Sequence, residues 1–294
     1  MKFLKKFQTN SDRTSYEGSN KYIEPYVSLV KESDSSHYNK PFLCKLTLND
    51  GSSIKLYGNG QLTSAMTSPY KETVVSAKIG RLCTSIGSYT FSGCTSLTSI
   101  SIPSGVTSIG SRAFDDTPWW NSYSADTDNH YGNIIYINDV AYKATAITIT
   151  SVAFKENTVS IGGNALAACA SLSSINIPSS VTIISDWALA SCTSLSSINI
   201  PNSVTIIGDY AFRHCHGLTS VAIPYNVTSI GIQAFYGCSG FTSVLVQATT
   251  PPTLGGIAFD NTNNCPIYVP SESLEAYKAA TNWVGYASRI QSIT

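Results

Sequence analysis

Cysteines and a few clusters of polar side chains are the residues of this chain best suited to chemistry. Four of the eight cysteines, Cys169, Cys192, Cys215 and Cys238, stand 23 residues apart, and Cys94 holds the equivalent place in an earlier segment. Such spacing admits metal ligation, disulfide formation or packing. No two cysteines form a C-x2-C pair, so a zinc site is not expected. Residues that recur once per structural repeat stack about 4.7–4.9 Å apart, and free Cys is among the most buried residue types. The five are therefore read as a structural ladder of buried thiols, with Cys44, Cys83 and Cys265 outside it. His214 and His216 flank Cys215, but without a third ligand nearby they read as solvated loop residues. Asp126, Asp128 and Asn129 offer oxygen ligands, yet their segment lacks the Gly and distant Glu of an EF-hand loop. No metal or other cofactor is expected.

Catalytic signatures are absent from the sequence. There is no G-x-S-x-G elbow, H-E-x-x-H pair, P-loop or dinucleotide fingerprint. Serine and threonine are abundant because the repeat demands them, so no single Ser stands out as a nucleophile. An enzyme is not expected. Aromatic residues are the better candidates for function. Trp119, Trp120, Tyr123, Tyr131, Tyr136 and Tyr142 crowd one segment, where they could pack a hairpin or stack on a sugar or protein partner. Trp120, Tyr123 and Tyr131 are the candidate ligand contacts of this group. A second candidate surface is a periodic row, Ser101, Asn176, Asn199, Ala222 and Leu245, which changes from polar to apolar along the chain. Asn176 and Asn199 are its candidate contact residues.

The elements that position these side chains follow from an internal repeat. Ile-Gly or its equivalent recurs at 86, 109, 161, 184, 207 and 230, and the step is 23 residues wherever no insertion intervenes. The unit reads Ile-Gly-x-x-Ala-Phe-x-x-Cys-x-x-Leu-x-Ser-Ile-x-Ile-Pro-x-x-Val-Thr. In a stretch such as Ser174-Ile-Asn-Ile-Pro178 the two isoleucines point inward and the Asn outward, which predicts a short strand. The proline ends it for want of an N–H. One unit cannot bury its own apolar face, so successive units must stack, with their strands pairing in parallel as one long sheet. Ile134–Ile137 and Val140–Tyr142 around Asn138-Asp139 predict a β-hairpin inside an insertion. Residues 44–48 and 54–57 predict another around Asn49-Asp50-Gly51. At the C-terminus, Pro270-Ser271-Glu272 predicts a helix start whose Leu274, Tyr277 and Trp283 cover the last coil.

The 23-residue unit resembles the BspA-like (Treponema pallidum type) leucine-rich repeat family over residues 74–294. The Thr117-Pro-Trp-Trp-Asn121 insertion and the Cys265-Pro-Ile-Tyr-Val-Pro270 ending are similar to segments of the same family. The resemblance implies a right-handed, mostly β leucine-rich repeat solenoid with a short C-terminal capping helix. It also implies binding or adhesion at microbial surfaces. The organisation expected is a small β-rich attachment module at 1–73 and a solenoid at 74–294. Within the solenoid, 115–158 form the hairpin-bearing insertion and 271–294 the cap. Residues 25–39, with a strand expected at 25–30, are similar to N-terminal segments of structural proteins from Bacteroidales phages and prophages.

Composition narrows the function. Eighteen basic and eighteen acidic residues cancel, and only 12% of the chain is charged. A nucleic-acid binder needs a basic face, and a polybasic membrane anchor needs clustered cations; neither is present. No apolar run approaches the roughly 20 residues of a membrane span. The basic start turns polar by residue 8, so no signal peptide is expected. That expectation and the phage resemblance together point to a virion component, in capsid or tail fibre, made in the host cytoplasm. It would dock on other virion proteins through 1–73 and present the solenoid to host glycan or a further virion protein. Self-association is compatible with that role, although no trimerisation heptad occurs. The alternatives are a bacterial cell-surface adhesin of the BspA type and an intracellular protein–protein scaffold.

Overall fold

A computed structural model describes residues 41–293. The expected strand at 25–30 and the phage-like segment lie outside them. From residue 61 onward each coil makes two short extended passes and one turn-rich pass, and each pass stacks on its counterpart 23 or 24 residues away except across the insertion. The first pass ends in the isoleucine that precedes the repeat glycine. Ile184 pairs with Ile207, and Ile207 with Ile230, all in parallel register. The isoleucine side chains are buried while the residue before each is partly or fully exposed, as the two-residue period of a strand requires. At Gly208 an added Cβ would lie 2.6 Å from the Asp186 backbone nitrogen. Close approach of neighbouring coils thus explains that glycine.

The second pass corrects the expectation of one long sheet. Full parallel strands occur at Val74–Ile79 and Ser99–Ser101. They occur again at Ser220–Ile223, Ser243–Val246, Ile267–Val269 and Ile290–Ser292. Between these groups, Ser174-Ile-Asn-Ile-Pro178 and its successor make only one bridge, Asn176 to Asn199. Their outward residues are asparagines, which disfavour strands, whereas the fully formed strands present Ala222 and Leu245.

The third pass carries the Ala-Phe-x-x-Cys segment through turns with two left-handed residues per coil. Trp187 and Ser191 have φ of 61° and 60°, and Tyr210 and His214 both 59°. Left-handed backbone costs roughly 1–2 kcal/mol for a residue with a Cβ. Hydrogen bonds to the next coil offset it. The N–H groups of Trp187, Leu189 and Ser191 donate to the carbonyls of Asp209, Ala211 and Arg213 at 2.7–2.8 Å.

The insertion is built into the stack. Thr117 caps the helix Pro118–Ala125 by accepting from the Trp120 N–H at 3.0 Å. The expected hairpin is present, with Ile137 opposite Val140. Its second strand pairs in parallel with Ser160–Ile161 and so takes the place of a coil. All four residues of Ile134–Ile137 are buried. Ile134 and Tyr136 join the core of the later coils, whereas Ile135 and Ile137 join that of the earlier ones. Burial on both faces accounts for an uninterrupted apolar run where a surface hairpin would alternate.

At the N-terminal end, the hairpin Cys44–Leu48 and Ser53–Leu56 pairs antiparallel with Val74–Ile79. Leu43, Leu46, Leu56 and Leu62 share one core with Ile86 and Phe91. Packing therefore continues across residue 73, and the described part of the expected attachment module acts as the lid of the first coil. At the other end, Ser271–Ser273 form a 3-10 turn and Leu274–Ala279 a helix. Tyr277 and Trp283 are fully buried, donating to the carbonyls of Ala248 and Pro252 at 2.7 and 2.8 Å. The expected capping by Ser271 is not made, because its hydroxyl turns to Glu272.

Candidate functional site

Cys94, Cys169, Cys192, Cys215 and Cys238 are free and essentially unexposed. The Sγ–H groups of Cys192, Cys215 and Cys238 donate to the carbonyls of Leu166, Leu189 and Phe212 in the preceding coil, at 3.1–3.2 Å. Burial pushes the thiols of Cys169 and Cys238 up to about 11 and about 12, so the thiolate needed for reaction is suppressed. The ladder also extends further than its cysteines. Thr117 and Thr262 occupy the same repeat position, fully buried, and their hydroxyls donate to Phe114 and Phe259 at 2.8 and 2.7 Å. Counting eight residues on from each ladder Ile or Leu finds both.

The insertion aromatics pack. Trp120 is only 6% exposed and meets Tyr142 edge-on at 5.0 Å, which removes it as a ligand contact. The helix started by Thr117 turns its first-turn indoles toward Phe114, with Trp119 meeting that ring at 4.9 Å. Tyr123 is half-buried and donates to the Tyr136 carbonyl at 2.8 Å. Tyr131 is exposed at the hairpin edge, 6.5 Å from Tyr136. Asn176 and Asn199 are exposed and bridge to each other on the second pass.

A different, half-buried aromatic group lies on the turn-rich pass. Trp187 and Tyr210 each fall three residues after a ladder isoleucine, in left-handed conformation. Their rings stack at 4.2 Å with an interplanar angle of 16°. Arg213 and Tyr236, also one period apart, complete the group. The guanidinium lies 5.7, 5.9 and 5.4 Å from the ring centres of Trp187, Tyr210 and Tyr236. His214 sits 5.6 Å from Tyr236 and 5.4 Å from His216. Its pKa is lowered by burial first, then by the Arg213 and His216 charges. Sequence reasoning weighed the insertion's clustered aromatics and passed over these, because they are spread through the chain. Reading positions three and six after each ladder isoleucine would have brought them together.

A shallow groove of about 370 Å³ lies elsewhere, lined by Gln61, Ser85 and Ser88 from early coils and by Ile183, Asp186 and Ile206 from later ones. The Asp186 carboxylate accepts from the Asp209 N–H at 2.9 Å, which occupies it structurally. Among the described residues no group of three or more His, Cys, Asp or Glu could hold a metal ion. No helix among them is long and apolar enough to cross a membrane.

Parallel strand ladders, a turn-rich third pass and a thiol column in register define a leucine-rich repeat solenoid. The sequence model of the BspA type leucine rich repeat region matches residues 70–135 and 135–266 in six copies, and the chain belongs to that family. Among solved structures, a leucine-rich repeat protein from Bacteroides ovatus is 21% identical, with a TM-score of 0.41, over 82% of this chain and 65% of its own. The Treponema pallidum leucine-rich repeat protein is 19% identical, with a TM-score of 0.34, over 68% of this chain and 69% of its own. The pneumococcal vaccine antigen PcpA is 14% identical, with a TM-score of 0.45, over 72% of this chain and 64% of its own. The chain thus spans just under two thirds of the length of the Bacteroides protein. No curated protein sequence matches. The resemblance of residues 25–39 to phage structural proteins is not shown by these comparisons.

Proposed function

We propose that the chain is a non-enzymatic binding module of a bacterial cell-surface protein, an adhesin of the BspA type, which meets its target through the turn-rich face at Trp187, Tyr210, Arg213 and Tyr236. Family membership favours the surface reading over the virion one. The observation that carries the site is the half-buried, in-register stack of Trp187 on Tyr210 with an arginine beside it. Aromatic rings with one polar end anchor interfaces at low entropic cost. A chain with only 12% charged residues and no net charge suits stacking and hydrogen bonding over long-range steering.

Two measurements test this reading. Antibody labelling of intact source cells should reach the solenoid without permeabilisation, and Trp187→Ala with Tyr210→Ala should abolish attachment of those cells to their substratum. Recovery of the protein only in purified virions or only in the cytoplasm would overturn it.

A further inference from the structure

Three arginines of this chain are held in contrasting ways. Arg289 uses all its nitrogens: Nε donates to the Cys265 carbonyl at 2.8 Å, Nη1 to Phe259 at 3.1 Å and Nη2 to the Thr262 hydroxyl at 2.8 Å. Arg112 lies 3.8 Å from the Asp115 carboxylate. Arg213 has neither kind of partner. Among the described residues no oxygen accepts from its guanidinium, and its Nε is buried with no hydrogen bond. Three aromatic rings surround it instead. Such contacts position a guanidinium and leave its donors unused. A buried Nε with no acceptor is a donor left unsatisfied, and a ligand oxygen placed beside it would restore that bond.

We infer that the Trp187–Tyr210–Arg213 group is a subsite for a carboxylate-bearing sugar of an acidic glycan. The inference rests on the binding role proposed for this face and names its ligand class. A pyranose lays its C–H face on an aromatic ring, and a carboxylate is the planar anion that the guanidinium fork takes in bidentate fashion. The row residue before Trp187 is Asn164, which has no ring to stack on the indole. A sugar ring over Trp187 then carries its carboxylate toward a guanidinium centred 5.7 Å from the indole. Sulfated or phosphorylated polymers fit less well. They need a field of cations, whereas this group holds one arginine in a chain of zero net charge, beside a His214 whose proton that arginine disfavours.

The test is calorimetric titration of the full chain with trigalacturonic acid and 3′-sialyllactose, beside lactose and a heparin hexasaccharide. At least one carboxylated sugar should bind at least tenfold more tightly than lactose or heparin. Arg213→Gln and Arg213→Lys should each weaken that binding at least tenfold, since Lys keeps the charge and loses the fork, while the melting temperature stays within a few degrees. Heparin binding more tightly than both carboxylated sugars, or an Arg213→Gln variant that binds as the parent does, overturns the inference. Should Trp187→Ala abolish attachment of cells while Arg213→Gln leaves it intact, the binding face stands and the carboxylate ligand falls. Should neither variant alter attachment and no sugar bind, both fall.

Discussion

The same 23-residue step builds two kinds of row, and they differ in what they leave unfinished. Inside, Phe212, Phe235 and Phe259 stack at 5.1 and 5.4 Å with rings nearly parallel. The thiols beside them donate to carbonyls one coil back. Outside, Trp187 and Tyr210 stack just as regularly at 4.2 Å, yet the arginine between their coils has no hydrogen-bond acceptor among the described residues. Periodicity alone therefore does not separate structure from function. Satisfaction does. The Phe and Cys rows complete their contacts within the chain, whereas Arg213 beside the Trp187–Tyr210 row keeps a buried Nε without a hydrogen bond.

Substitutions on the two kinds of row should separate accordingly. The largest effect is expected from Cys215→Asp, which places an unpaired carboxylate in the thiol column at a site with no exposure. Burying such a charge costs several kcal/mol after relaxation, and the variant should lose its cooperative unfolding transition by circular dichroism. Phe235→Ala removes the middle ring of the inner stack and should cost about 3–5 kcal/mol in urea denaturation. A loss under 1 kcal/mol would show that the inner row is no more structural than the outer one. Trp187→Ala should cost less than Phe235→Ala, losing about 0.5–1.5 kcal/mol for the aromatic pair together with the burial of a half-buried indole.

Smaller still is a pH effect. The His214 pKa lies below the ordinary value near 6.5, so the unfolded state binds more protons between the two values. Stability should then rise with pH through that window and be lost slightly as pH falls below about 6.5. Arg213→Gln should raise the His214 pKa in an NMR titration, because one positive neighbour is gone. No effect at all is expected from reductant or chelator on the melting temperature, since the column cysteines are free, buried and shifted upward. A fall with either agent would replace the thiol ladder with a disulfide or metal site.

Much of this architecture was legible in advance. The Ile-Gly step placed the ladder isoleucines, the cysteine column and the proline stops, and the insertion hairpin fell around Asn138-Asp139 as its turn chemistry required. Other features were not legible, for identifiable reasons. Strand propensity at Ile175 and Ile177 gave way to the asparagine between them, so that pass closed as a single bridge. Trp120 looked like a surface aromatic until the Thr117 cap turned its helix onto Phe114 and Tyr142. Pairing crosses the boundary expected at residue 73, because Cys44–Leu48 runs antiparallel to Val74–Ile79.

What the sequence determined by itself is whatever depends on register: which residues stack on which, and that the stack is a solenoid. A fixed period brings position n beside position n+23 regardless of detail, because each coil must cover the apolar face of the last. Only the tertiary structure decided which stacked rows are finished and which stay open. Exposure and hydrogen-bond satisfaction depend on the left-handed turns that leave Trp187 and Tyr210 half-buried on the third pass, and on segments without a period, such as the insertion and the two caps, settling over the ends and joints of the core.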